Sequence, residues 1–257
     1  MQDLKIALVQ AYQVWEDKQA NLDHFSNLLA NVEGVDLILL PEMFQTGFSM
    51  NAEQLAEEME SSASIQWLRE LSAKKNAAVY TSMIVSENRS FYNRGLFVEP
   101  TGSITTYDKR KTFGLAGEDL TYASGSAEKI VNYKNWNIQL QICYDLRFPE
   151  IVRNRMTSNQ SAAYDVILYV ANWPERRSEH WKALLKARAI ENQCYVVGVN
   201  RVGTDANGLS YSGDSQVVDA LGAVNFCEAG NEEVKIVTIS KENLNATREL
   251  LPFLKDR

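Results

Sequence analysis

Three side chains of complementary chemistry each stand just past an apolar run: Glu42 after residues 37–40, Lys109 after residues 104–107, and Cys143 after residues 138–142. Sites in α/β sheets collect beyond the carboxyl ends of strands, so three such residues form a candidate constellation where one would mean little. Cys143 is the candidate nucleophile. The residues after it are expected to turn into a helix, and a helix N-terminus lowers a thiol pKa. Only two histidines exist, His24 and His180, so the thiol proton needs another base. Glu42 is a candidate, set among Pro41, Met43, Phe44 and Phe48. A carboxylate desolvated by such neighbours becomes a stronger base. Lys109 would place positive charge beside the thiolate. With the backbone N–H of Tyr144 it would also stabilise a tetrahedral oxyanion. The set suits attack on an unactivated carbonyl, giving an acyl-thioester that water hydrolyses.

Each residue also has a plainer reading. Free cysteine is among the most buried residue types, and Cys143 could be a core residue at a strand end. A lone glutamate after a buried strand is commonly a solvated edge or a helix cap. Asp108-Lys109-Arg110-Lys111 is a short charge run of the kind that forms a solvated loop. The elements around these residues therefore matter.

Residues 4–10 read as a strand. Leu22, Phe25, Leu28 and Leu29 recur at helical spacing, which predicts a helix over 17–32 that stops near Gly34. Residues 35–40 are nearly all apolar, as in a strand buried on both faces. Loop and acidic helix are expected over 46–59, and an amphipathic helix over 63–75. Strands are expected at 77–85, 91–98 and 104–109, and a hairpin pairs 129–133 with 137–142 around 134–136. A helix is expected over 149–156, a buried strand over 164–172 and a helix over 178–192. Strands at 195–200, 215–219, 223–227 and 234–239 follow. The tail from 243 to 257 carries Leu250, Leu251, Pro252 and Phe253, apolar residues expected to dock, a partner subunit being one candidate surface. The alternation implies an α/β fold with helices outside. No linker composition interrupts it, so residues 1–257 read as a single domain.

The composition is that of a soluble globule, 45% hydrophobic and 23% charged. A net charge of −7 argues against nucleic acid or an anionic membrane as partner. No apolar run is long enough to span a bilayer, and no signal-peptide pattern opens the chain. Three widely spaced cysteines, Cys143, Cys194 and Cys227, make no disulfide framework, so a reducing, cytoplasmic location is expected. The scarcity of histidine argues against a His-rich metal site.

Residues 39–44 (Leu-Leu-Pro-Glu-Met-Phe), 107–113 (Tyr-Asp-Lys-Arg-Lys-Thr-Phe) and 143–149 (Cys-Tyr-Asp-Leu-Arg-Phe-Pro) occur in that order. Together they resemble the three signatures of the nitrilase superfamily, carbon–nitrogen hydrolases with a Glu-Lys-Cys triad. Residues 170–174 (Val-Ala-Asn-Trp-Pro), His180-Trp181, residues 187–193 and residues 200–203 resemble its omega-amidase branch. The resemblance covers nearly the whole chain. It implies a four-layer αββα sandwich without cofactor or metal, usually assembled as a homodimer or higher homo-oligomer. It makes Glu42 the general base, Lys109 the oxyanion-stabilising lysine and Cys143 the nucleophile. The second glutamate of the family, which helps position substrate, matches Glu118. One departure stands out: Lys111 and Thr112 occupy positions where the family often has His and Leu, and Lys111 rivals Lys109 if the loop register shifts.

The implied substrates are small dicarboxylate monoamides such as 2-oxoglutaramate and 2-oxosuccinamate. Their far carboxylate needs a cation, for which Arg177, or Arg176 beside it, is the candidate. Trp173, Phe48 and Phe113 are expected to wall the site, whereas Arg147 and His180 are expected to serve structure. The competing readings are an N-carbamoyl amino acid amidohydrolase, a nitrilase proper, or a non-catalytic binding protein on the same fold.

Overall fold

Leu4, Ile6 and Leu8 face one way along the first strand and Ala7 and Val9 the other, and all five are fully buried. A strand buried on both faces must lie between two layers. In the computed structural model, which describes residues 2–257, this strand is β1 (Leu4–Gln10). The chain continues through α1 (Lys18–Leu28), β2 (Leu37–Leu39), α2 (Ala52–Leu55), α3 (Ala63–Lys75), β3 (Ala78–Glu87), β4 (Ser90–Val98) and β5 (Ile104–Asp108). The one-turn α4 (Glu118–Thr121), β6 (Ile130–Tyr133), β7 (Trp136–Ile142), β8 (Val166–Ala171), α5 (Ser178–Asn192) and β9 (Tyr195–Asn200) follow. Then come β10 (Val202–Thr204), β11 (Ser210–Ser212), β12 (Gln216–Val218), β13 (Val224–Phe226), β14 (Glu233–Ile239) and α6 (Lys241–Leu250).

Two six-stranded sheets result, in the orders β14-β1-β2-β3-β4-β5 and β13-β12-β9-β8-β7-β6. Each has three parallel strands at its centre, β1 to β3 in one and β7 to β9 in the other, with antiparallel strands outside them. The sheets share one core, in which Leu37, Leu39, Tyr80 and Phe97 meet Ile138, Leu140 and Ile142. The Tyr80 hydroxyl crosses the gap and donates to the Gln141 carbonyl at 3.0 Å.

Helices cover the outer faces. Ile38 and Val79 pack under α1 and α3 through Phe25, Ile65 and Leu68. Asp17 and Ser62 cap those helices by accepting from Ala20 N and Ile65 N. On the second sheet α5 lies against β9, and Gly198 permits the approach: a Cβ there would sit 2.6 Å from Leu185 Cδ1 and 2.8 Å from Trp181 Cζ2. The order of layers is α, β, β, α, the sandwich that the resemblance implied.

The helix expected over 149–156 is only a 3-10 turn, Pro149–Ile151. Beyond it Asn154 is buried and its amide donates to the carbonyls of Tyr164 and Asn192, each at 3.0 Å, which holds the backbone in an irregular path. The acidic helix of the 46–59 region shrinks to α2. The hairpin turn is tighter than expected: Trp136 pairs with Tyr133, and Lys134 and Asn135 take positive φ of 48° and 65°, as a two-residue turn requires. The ribbon β10–β11 was not foreseen. In the tail, Leu244 and Leu254 dock on the chain itself, and Arg248 pairs with Asp165 at 2.8 Å, while Leu250 and Phe253 remain exposed. No helix among the described residues is long and apolar enough to cross a membrane.

Candidate active site

β2 and β5 belong to one sheet and β7 to the other, yet the residues that follow them meet. Lys109 Nζ lies 2.9 Å from Glu42 Oε1 and 2.9 Å from both carboxylate oxygens of Glu118. Glu42 and Glu118 are fully buried and Lys109 is 1% exposed. Asn93, on β4, donates its amide to Glu42 Oε1 at 2.8 Å and to Glu118 Oε1 at 3.1 Å. Phe113 N closes the other side of Glu118 at 2.5 Å. From the second sheet, Asn172 reaches across with its backbone N–H to Glu42 Oε2, 2.9 Å, and with its side-chain amide to the Glu42 carbonyl, 2.6 Å. The Cys143 thiol donates to the Asn172 carbonyl at 3.9 Å, the same residue whose N–H and side-chain amide bind Glu42.

Lys109 is therefore the lysine of the cluster. Lys111 is not: its side chain lies over the Phe148 ring, 4.7 Å from the centroid and 4.0 Å from Glu150. Burial alone would pull the Lys109 ammonium down, but Glu118 and then Glu42 outweigh it and hold its pKa well above the ordinary value. Burial pushes the Cys143 thiol well up, Glu42 adds to that, and Lys109 only partly opposes it. The expectation that a helix mouth would lower this pKa is thus reversed. The helix is a single 3-10 turn, Cys143–Arg147, and its small dipole loses to burial beside a carboxylate.

Cys143 sits in the left-handed region with φ of 44°, a conformation that costs a non-glycine residue about 1–2 kcal/mol. Asp145, fully buried, holds the turn there. Its Oδ2 accepts from Ile142 N at 3.0 Å and from the Tyr107 hydroxyl at 2.9 Å, and its Oδ1 accepts from Lys111 N at 2.9 Å. One carboxylate thus ties the Cys143 turn to the loop after Lys109. Burial raises its pKa to about 6, with the Ile142 N–H and Lys109 opposing.

Cys143 opens onto a cavity of about 540 Å³. Phe48, Phe113 and Trp173 line it, as do Arg176 and Arg177, and the Phe48 ring lies 5.2 Å from Lys109 Nζ. Arg177 is half-buried with its guanidinium 5.3 Å above the Phe113 ring, whereas Arg176 is exposed. Tyr144 borders the cavity with its ring against Phe113, centroids 4.9 Å apart. Arg147 departs from expectation, since it also lines the cavity. His180 is outside the cavity lining and meets Arg147 at 3.0 Å. No group of three or more metal-ligating side chains gathers among the described residues.

Sequence reasoning missed the roles of Asn93, Asn172 and Asp145. Asn172 follows β8 as Glu42, Lys109 and Cys143 follow their strands, so the same signal marks it. Asn93 lies inside a strand and carries no such mark.

The carbon-nitrogen hydrolase family pattern matches residues 5–249. The chain is 45% identical over 257 residues to the omega-amidase YafV of Yersinia enterocolitica, covering 100% of this chain and 97% of that one. It is 33% identical over 225 residues to the 2-oxoglutaramate amidase of Bacillus subtilis, covering 86% and 84%. A crystal structure of a CN-hydrolase superfamily protein from Xanthomonas campestris, with an arsenic adduct in its active site, superposes with a TM-score of 0.97 at 41% identity, covering 100% and 98%.

The electrostatics make a signed prediction. Glu42→Gln removes a negative neighbour that raises the thiol pKa, so the midpoint of the pH–alkylation curve of Cys143 with iodoacetamide moves down. Amide hydrolysis falls by about a hundredfold or more in the same variant. An upward or unchanged midpoint would refute this account of the thiol.

Proposed function

The chain belongs to the carbon-nitrogen hydrolase family, and from that premise we propose that it is an omega-amidase. It hydrolyses the terminal amide of small dicarboxylate monoamides such as 2-oxoglutaramate and 2-oxosuccinamate to the acid and ammonia. The observation that carries this is the buried Glu42–Lys109–Glu118 cluster against the Cys143 thiol, opening on a cavity that holds Arg177. The relatives named as omega-amidase and 2-oxoglutaramate amidase support the substrate class.

The geometry supports the following course. Arg177 receives the far carboxylate, the half-buried Arg177 being better placed than the exposed Arg176. Phe48, Phe113 and Trp173 exclude water around the linear chain. Glu42 takes the thiol proton as Cys143 Sγ attacks the amide carbon. The thiol, protonated at rest by its raised pKa, becomes a thiolate only as the new bond forms. Lys109 and the Tyr144 N–H stabilise the oxyanion. Collapse of the intermediate expels ammonia, with Glu42 returning the proton to nitrogen, and leaves a thioester on Cys143. Glu42 then deprotonates water for attack on that thioester, and the acid departs. Glu118 positions Lys109 throughout.

Two further parts of the reading concern setting. Three free cysteines fit the cytoplasm, where thiols stay reduced. A second copy of the chain is the proposed partner. Exposed Val224 and Phe226 lie beside Glu179, Lys182 and Lys186 of α5. Gly222, next to exposed Leu221, meets exposed Ile190 further along that helix, and Gln193 after it holds the tail bearing exposed Leu250 and Phe253. The whole of residues 1–257 acts as one domain in each subunit.

Ammonia release should be measured from 2-oxoglutaramate, from an N-carbamoyl amino acid and from a nitrile. The keto-amide is expected to be the best substrate, with Cys143→Ala lowering turnover on the order of a thousandfold or more. Turnover of either other class without the keto-amide would sink the assignment, and no turnover of any of the three would favour a non-enzymatic fold member. Full activity in Cys143→Ala would remove Cys143 as the nucleophile. Sedimentation as a single 29.0 kDa chain would exclude the homo-oligomer.

A further inference from the structure

Arg147, Arg176 and Arg177 all line the cavity that holds Cys143, and among the described residues none of the three has a carboxylate partner. Arg147 ends the 3-10 turn that begins at the nucleophile. Its guanidinium lies 4.8 Å above the Trp173 ring, and its Nη2 donates to His180 Nδ1 at 3.0 Å. A guanidinium only donates, so that histidine nitrogen is the acceptor. Trp173 serves both arginines: its ring carries Arg147, and its indole N–H donates to the Arg177 carbonyl at 2.8 Å. Trp173 is itself fixed, because its backbone N–H donates to Asn200 Oδ1 at 2.8 Å and its carbonyl accepts from Asn200 Nδ2 at 2.9 Å. Trp173 therefore fixes the Arg147 guanidinium and the Arg177 backbone, while the Arg177 guanidinium rests on the Phe113 ring, and two like charges on one cavity wall call for an anion.

The carboxylates in and behind the same cavity are in use. Asp205 accepts from Asn207 N at 2.9 Å, from Leu209 N at 3.0 Å and from the Tyr211 hydroxyl at 2.9 Å. Glu16 accepts from the Ser49 hydroxyl at 2.5 Å. Glu42 and Glu118 are committed to Lys109 and Asn93. The cavity thus offers free donors and engaged carboxylates, and its unpartnered acceptor, Asn172 Oδ1, belongs to the Glu42 and Cys143 end.

We propose that Arg147 is the second arm of an anion fork with Arg177, and that the fork selects a 2-oxo acid amide over the matching 2-amino acid amide. The inference rests on the omega-amidase reading and adds a specificity residue to it. A carboxylate and its neighbouring ketone present only acceptors, which the two guanidinium groups satisfy. An ammonium at the same carbon brings three donors and a positive charge between two guanidinium groups, at an end of the site with no free carboxylate.

The test compares kcat/KM for 2-oxoglutaramate and L-glutamine in the wild type, Arg147→Gln and Arg147→Lys. Arg147→Gln is expected to lose about tenfold or more on the oxo substrate, chiefly through KM, and to narrow the oxo-over-amino preference by about tenfold, with Arg147→Lys recovering part of both. Equal losses on the two substrates, or a loss confined to kcat, would overturn the fork. A second arm needs no turnover: calorimetric binding of 2-oxoglutarate to Cys143→Ala, with and without Arg147→Gln. Weakening by about fivefold or more supports the fork and unchanged binding overturns it. Should the wild type fail to cleave 2-oxoglutaramate, the omega-amidase reading falls by itself and the calorimetric arm alone decides the fork.

Discussion

Two carboxylates buried side by side repel, and the ammonium of Lys109 is what allows Glu42 and Glu118 to share one dry site. Much of the surrounding structure serves that arrangement. The Asn93 amide bridges both carboxylates, the Phe113 N–H takes the outer oxygen of Glu118, and the Asn172 N–H takes Glu42 from the opposite sheet. A buried ion pair gains little stability unless its remaining lone pairs are satisfied, and here they are. The result is a carboxylate, the proposed base, whose position is fixed from both sheets at once. That is a reason for the site to lie between the sheets, because neither sheet alone supplies the donors.

The proposed nucleophile is placed by a separate device. Cys143 takes a left-handed backbone at the end of β7, which turns its thiol toward Glu42 and the cavity. Asp145 holds that turn and also the loop after Lys109, so nucleophile and lysine share a common anchor. Burial, with Glu42 adding to it, keeps the thiol protonated at rest, and in the proposed reaction Glu42 takes that proton during attack. A resting thiol of this kind reacts when an amide carbonyl is in place and is poorly reactive otherwise.

The parts of this arrangement that lie at strand ends were legible in the sequence. Glu42, Lys109 and Cys143 each follow an apolar run, and the layered α/β pattern followed from runs buried on both faces. Boundaries of the long elements, such as α3 at Ala63–Lys75 and α5 at Ser178–Asn192, came from helical spacing and fell where expected. What escaped notice depends on contacts distant in sequence. Asn93 acts across 51 positions to reach Glu42, and Arg147 faces the cavity only because Trp173 is folded beneath it. The helix expected after Pro149 failed for a similar reason, since Asn154 is drawn to partners at 164 and 192. The thiol pKa was misjudged because local helix geometry was weighed without the burial that tertiary packing imposes.

If the shared ammonium governs the site, its removal and the removal of one carboxylate must be coupled. The most direct measurement is a double-mutant cycle on unfolding free energy with Lys109→Met, Glu118→Gln and the pair. Lys109→Met alone is expected to cost about 3–5 kcal/mol, because two carboxylates are left facing each other. Adding Glu118→Gln should restore about 1 kcal/mol or more of that loss, well outside additivity, while leaving amide hydrolysis abolished. Additive losses in the double variant would contradict the account, since the three charges would then not be acting as one unit.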